Sequence, residues 1–134
     1  MSTSPILIFS FATDLNNNYF LDDVSVTLAT APSNQLLNNP SFEDSITILN
    51  GWVVWCDYTC TAGAGAQVTW GTNCYLSMGN CFLVDYPDTG SGAIVYLGQS
   101  FPAIIGSTYK IGFSLRMAYG GGGSSQTQSK VFIR

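Results

Sequence analysis

Apolar and polar positions alternate along this chain in short runs, separated by clusters of Asn, Asp, Gly, Ser and Pro. The clearest run is TYKIGFSLRMAY (108–119). With a period of two, Tyr109, Ile111, Phe113, Leu115 and Met117 share one face, and Lys110, Ser114 and Arg116 share the other. That pattern predicts an antiparallel strand with one side on a core. Six more runs rich in β-branched and aromatic residues predict further strands: ILIFSFA (6–12), YFLDDVSVTL (19–28), WVVW (52–55), AQVTW (66–70), AIVYLGQSF (93–101) and SKVFIR (129–134). Turn chemistry punctuates them at DLNNN (14–18), LNG (49–51), PDTGSG (87–92) and IIGS (104–107). The GGGGSSQTQ stretch (120–128) carries nothing to pack and reads as an exposed loop. Many short strands with such turns predict an all-β antiparallel sandwich.

Composition narrows the function. Only 9% of the residues are charged while 46% are hydrophobic, so the polar surface must come from Ser, Thr, Asn, Gln and Gly. Such a surface suits an extracellular, self-associating protein, because few like charges repel. A net charge of −4 with four basic residues excludes nucleic acid as a natural partner. No apolar run is long enough for a membrane-spanning helix, and no basic amphipathic segment suggests a membrane surface. MSTSP followed by ILIFSF lacks the basic flank of a signal peptide and reads as a strand, so a targeting peptide would lie outside these residues.

Cys56, Cys60, Cys74 and Cys81 crowd into about a fifth of a chain that has no histidine. An even count in this context predicts two disulfides and an oxidising compartment. Three pairings are possible; the local ones, Cys56 with Cys60 and Cys74 with Cys81, are preferred because each flanks a turn-like polar segment. A four-cysteine zinc site is the competing reading, and the spacings depart from those of zinc ribbons.

The stretch LLNNPSFED (36–44), followed by GW at 51–52, resembles the opening strands of galactose-binding-like jelly rolls, the fold of many non-catalytic carbohydrate-binding modules. AIVYLGQSFPAIIGSTYKIGFSLRMAYG (93–120) resembles their central strands, while ILIFSFA and YFLDDVSVT resemble their closing pair. Here the closing pair comes first. The resemblance therefore implies a jelly-roll β-sandwich in three parts: a two-strand donor hairpin (1–28), a linker (29–35) and a sandwich body (36–134). Residues 6–28 would then complete their own body, that of a neighbouring copy, or the adjoining module of a tandem-repeat fibre from which these residues are cut out of phase, through the hairpin positions Ile6, Ile8, Phe20, Val24 and Val26. A sandwich lacking two strands exposes an unpaired edge and an apolar groove, which a neighbour's strands repair. A donor end meeting a different acceptor groove propagates as a filament unless the rotation closes a ring.

Candidate chemistry is sparse. Alternation through FLDDVSV places Asp22 on one face with Val24 and Val26, where a carboxylate needs a partner. The resemblance implies a structural calcium between Asp22 and Glu43, and hard oxygen ligands suit that ion. There is no histidine for a triad, and the spacing of Asp57, Asp85, Asp88 and Glu43 supports no glycosidase pair, so no enzyme is expected. Trp55, Tyr58 and Trp70, near the cysteine loops, are the candidates for stacking on a sugar, whereas Trp52 reads as core. Serine and threonine make up about a fifth of the chain, which suits O-linked glycans. The expected function is a secreted structural subunit that joins copies of itself head to tail, a coat of O-linked sugars being compatible with it. The alternative is a soluble carbohydrate-binding module.

Overall fold

In the computed structural model, described over residues 2–12, 17–56, 65–85, 94–119 and 128–134, the alternating runs form two antiparallel sheets packed face to face. In the first, β3 (Asn17–Leu28) is central. It pairs with β10 (Tyr109–Tyr119) along one side; the other side takes β4 (Ala31–Gln35) and β7 (Asn80–Asp85), with β6 (Gly65–Trp70) beyond β7. The second sheet runs β11 (Gln128–Ile133), β2 (Ile6–Ala12), β8 (Ile94–Ser100), β5 (Val53–Cys56). A short β1 (Ser2–Thr3) pairs with β9 (Ala103–Ile104). The chain is an all-β sandwich.

Period two explains which side chains meet between the sheets. From β2, Leu7, Phe9 and Phe11 point inward; Val95 and Leu97 of β8 and Phe82 and Val84 of β7 meet them. Phe9 stands edge-on to Phe113 of β10 with centroids 5.2 Å apart, and Phe11 packs on Tyr19 and Phe82. These contacts place β10 over β2, so β10 and β11 are edges on the same side of the sandwich. Phe42 and Trp52 close the core near the NPSFED turn, and the Trp52 indole N–H donates to the Asn39 carbonyl (3.0 Å). Gly51 and Gly106 take positive φ (81° and 85°) in the turns 49–52 and 104–107, where a Cβ would be strained.

Four features differ from the expectations above. NCFLVD (80–85) is β7, a strand buried almost throughout, so its apolar run lacks the alternation that marks a half-exposed strand. Residues 29–35 are not a free linker: β4 doubles back on β3, pairing Thr27 with Gln35 and Leu28 with Ala31. On β10 the inward face is only half covered, with Phe113, Leu115 and Met117 exposed by 43%, 37% and 48%. Finally, the alternation in β3 is reset by a bulge. Ser25 faces Gly112 and Asp22 faces Ser114, so two residues of β3 stand opposite the single Phe113. Asp23, at the bulge, has φ 49°. Tyr19 and Leu21 therefore point into the core before the bulge, and Val24 and Val26 after it. Asp22 shares the outer face with Phe20 and does not share one with the valines.

Candidate functional site

The bulge sends Asp22 outward beneath a loop to which the alternation pattern assigns no element. Residues 71–79 are tied to the sheet by the Cys74–Cys81 disulfide, which packs with Phe20 and Leu83 in a second apolar cluster on the outer face. Leu76 and Ser77 hold consecutive positive φ angles (55° and 59°), placing Tyr75 so that its N–H donates to Asp22 Oδ2 (2.9 Å). Asp22 Oδ1 accepts the Asp23 N–H at 2.7 Å. From the NPSFED turn, Glu43 Oε1 accepts the Asn80 N–H at 2.8 Å, and the Pro40 carbonyl accepts the Val24 N–H at 3.0 Å. Gly79 makes room for this carboxylate, since a Cβ there would run into Glu43 Oε1.

Asp22 and Glu43, which the resemblance paired, thus line one open hollow with Asp23, Ser41, Leu76 and Met78. Burial pushes the Asp22 carboxyl above its ordinary 3.8. The Tyr75 and Asp23 N–H groups pull it back, and the charges of Glu43 and Asp23 add to the rise. The oxygens are of the hard kind that calcium takes, but those of Asp22 are each engaged by a backbone N–H. Among the described residues, no three His, Cys, Asp or Glu side chains are grouped to hold a metal.

The aromatic candidates are separated. Trp55 lies on the outer face of the second sheet, stacked on Tyr96 of the next strand with centroids 5.4 Å apart and planes 8° apart. Its ring covers Gly98, where a Cβ would come within 2.9 Å of Trp55 Cη2. Trp70, 75% exposed, ends β6 in the other sheet and lines a shallow hollow with Ile46, Met78 and Gly79. Tyr58 and Cys60 lie outside the described residues. Cys56 is disulfide-bonded as well. Tyr96, the partner that gives Trp55 its platform, carries no signal of its own in the sequence; a directly opposed cross-strand position is visible only once the register is known.

The hairpin positions divide three ways. Val24 and Val26 are core, Phe20 packs on the Cys74–Cys81 disulfide, and Ile6 and Ile8 face outward, opposite Ser100 and Gly98. Two glutamines do unforeseen work. Gln35 Oε1 accepts the N–H groups of Val26, Leu36 and Leu37, and its Nε2 donates to the Val24 carbonyl. Gln99, buried in β8, bonds both backbone groups of Asn38. Among the described residues no helix is long and apolar enough to cross a membrane. Comparisons of the chain with protein families, curated proteins and solved structures find no match.

Proposed function

We propose that the chain is an extracellular structural subunit that joins copies of itself head to tail by β-strand complementation, its N-terminal hairpin being the exchanged element. One observation carries this reading. The hairpin supplies the inner strand of both layers: β2 lies between β11 and β8, and β3 between β10 and β7. Withdrawing it opens a trench through each sheet at once, and a neighbour's hairpin would restore every contact. The Cys74–Cys81 bond and the low charge suit a durable assembly outside the cell. Calcium held by Asp22 and Glu43 would fasten the hairpin to the body by neutralising paired carboxylates, and O-linked sugars would keep so uncharged a polymer soluble.

The test is a reporter disulfide. Ile6 gives both backbone groups to Arg134, so its pairing with Ser100 on the other side is the close kind, suited to a cross-link. Ile6→Cys/Ser100→Cys, assembled and then oxidised, should give a ladder of covalent multimers on a non-reducing gel. Filaments that yield only cross-linked monomer would sink the exchange.

A second reading rests on the Trp55–Tyr96 platform, whose partly exposed indole could stack on a saccharide ring. It requires a monomer whose binding to a glycan array is lost in Trp55→Ala.

A further inference from the structure

Among the described residues, no further strand covers the side of the sandwich bounded by β10 and β11. Phe113, Leu115 and Met117 from β10 and Val131 and Ile133 from β11 are all large apolar residues exposed by 37% or more. Register puts Val131 and Ile133 on the same face as Phe9 and Leu7, so both strands aim these side chains toward the gap between the sheets. Neither strand is paired along its outer edge among the described residues. Lys110, Arg116, Lys130 and Arg134 are the chain's only basic residues, and all four sit on or at the end of these two strands. All eight carboxylates lie elsewhere. The seam is therefore apolar, with Lys110 and Lys130 on the outer faces of its two strands and Arg134 at the end of one, while Arg116 reaches across its sheet to donate to the Thr72 carbonyl at 3.3 Å.

Two arguments identify what covers it. The first is charge. A twofold contact would set these basic side chains against their own copies, whereas β5 and β6 at the far side carry no charge of their own and have the carboxylate of Asp85 paired opposite Gly65 of β6. The second is strand direction. Each sheet path has four antiparallel members, β10-β3-β7-β6 and β11-β2-β8-β5. Its first and last strands consequently run in opposite senses. Two copies in the same orientation, set side by side, bring β10 against β6 and β11 against β5 as antiparallel pairs in both layers simultaneously.

We propose that the β10/β11 seam is the acceptor face for a second copy of this chain, which docks with its β5/β6 side. This rests on the reading that the chain polymerises; it does not depend on the hairpin being exchanged. The contact is heterologous and leaves a fresh seam at the end of every chain of copies.

The experiment is sedimentation velocity on the full chain across concentration and salt. The wild type should associate, and association should weaken as sodium chloride rises. Met117→Lys puts an inward charge on the edge strand at a half-exposed position and should weaken association at least tenfold with little change in Tm. Ala66→Lys on β6 should do the same to the opposite face. Mixing the two variants should give a dimer and nothing larger, because one good face of each kind survives. If Met117→Lys misfolds, the surface pair Lys110→Glu/Lys130→Glu carries the same expectation. A polymerising wild type whose seam variants associate equally well overturns the seam alone, as does an Ala66→Lys protein that dimerises by itself. A wild type that stays at 14.4 kDa at every concentration overturns both this proposal and the polymer reading.

Discussion

Gln35→Ala is the change that best separates a linker from a built strand. In the wild type one amide oxygen accepts three backbone N–H groups, from Val26 (3.0 Å), Leu36 (3.0 Å) and Leu37 (3.1 Å). Leu36 also donates to the Val26 carbonyl at 2.9 Å, so alanine leaves it satisfied. Val26 and Leu37 are buried, at 0% and 5% exposure, and their N–H groups lose these acceptors. Each such group costs about 1–3 kcal/mol when left without one. Because Gln35 itself is exposed, water can follow the missing amide, which favours the low end. The expected loss is about 2–3 kcal/mol in urea unfolding, with an unchanged m-value. Gln35→Glu keeps the acceptor oxygens and gives up only the 3.3 Å bond from Nε2 to Val24, so it should retain most of the stability. A Gln35→Ala loss below about 0.5 kcal/mol, the scale of an ordinary surface change, or an equal loss in both variants, would refute the accounting.

Asp22 gives a pH signature. Its folded-state pKa is raised, so the native state binds the proton more tightly, and stability is lost as pH rises from 3.8 through the raised value. Wild type should therefore gain on Asp22→Asn as pH is lowered from 7 toward 4 in parallel denaturant titrations; a constant difference would remove Asp22 from the account. Calcium reverses the sign at neutral pH: if Asp22 and Glu43 hold it, millimolar calcium raises the wild-type Tm and leaves Asp22→Asn/Glu43→Gln unmoved. Gly79→Ala collides with Glu43 at φ 70° and should cost about 1–3 kcal/mol of stability, measured the same way.

The fold class was legible because half-buried strands announce themselves by alternation, and the runs at 6–12 and 109–119 reappear almost unchanged as strands. β7 was not legible, because burial on both faces erases alternation from NCFLVD. Nor was β4, whose APSNQ has strand geometry only because β3 and Gln35 hold it. Asp22 and Glu43 line one hollow, but alternation alone misplaces Asp22: period two carried across the bulge at Asp23 puts it on the core face with Val24 and Val26. A positive φ at one aspartate leaves no mark in the sequence. The 71–79 loop was equally hidden, since its shape comes from a disulfide and from strained backbone at Leu76 and Ser77.

The position of the hairpin also bears on how assembly could begin. β2 pairs with β8 and β11, whose residues lie at 94–100 and 128–133, while β3 pairs with β10 at 109–119. Neither sheet can close until the far end of the chain is in place, and such long-range pairing is slow. During that interval the body offers a trench in both layers, and the hairpin is a ready donor tethered by the 36–52 segment. Home closure has the advantage of a tether, worth an effective concentration on the order of millimolar. Exchange overtakes it only where copies are concentrated to a similar level or held side by side. The β10/β11 seam cannot do the second of these, because β10 is paired only with β3 and β11 only with β2, so the seam forms only once a hairpin, home or exchanged, fills the trench. The order of events is therefore hairpin first: exchange makes the joint, and the seam then adds a contact between completed copies. The two contacts are then separable. A hairpin locked home by the Ile6→Cys/Ser100→Cys cross-link still permits reversible, salt-sensitive association, while a seam blocked at Met117 leaves hairpin exchange itself intact.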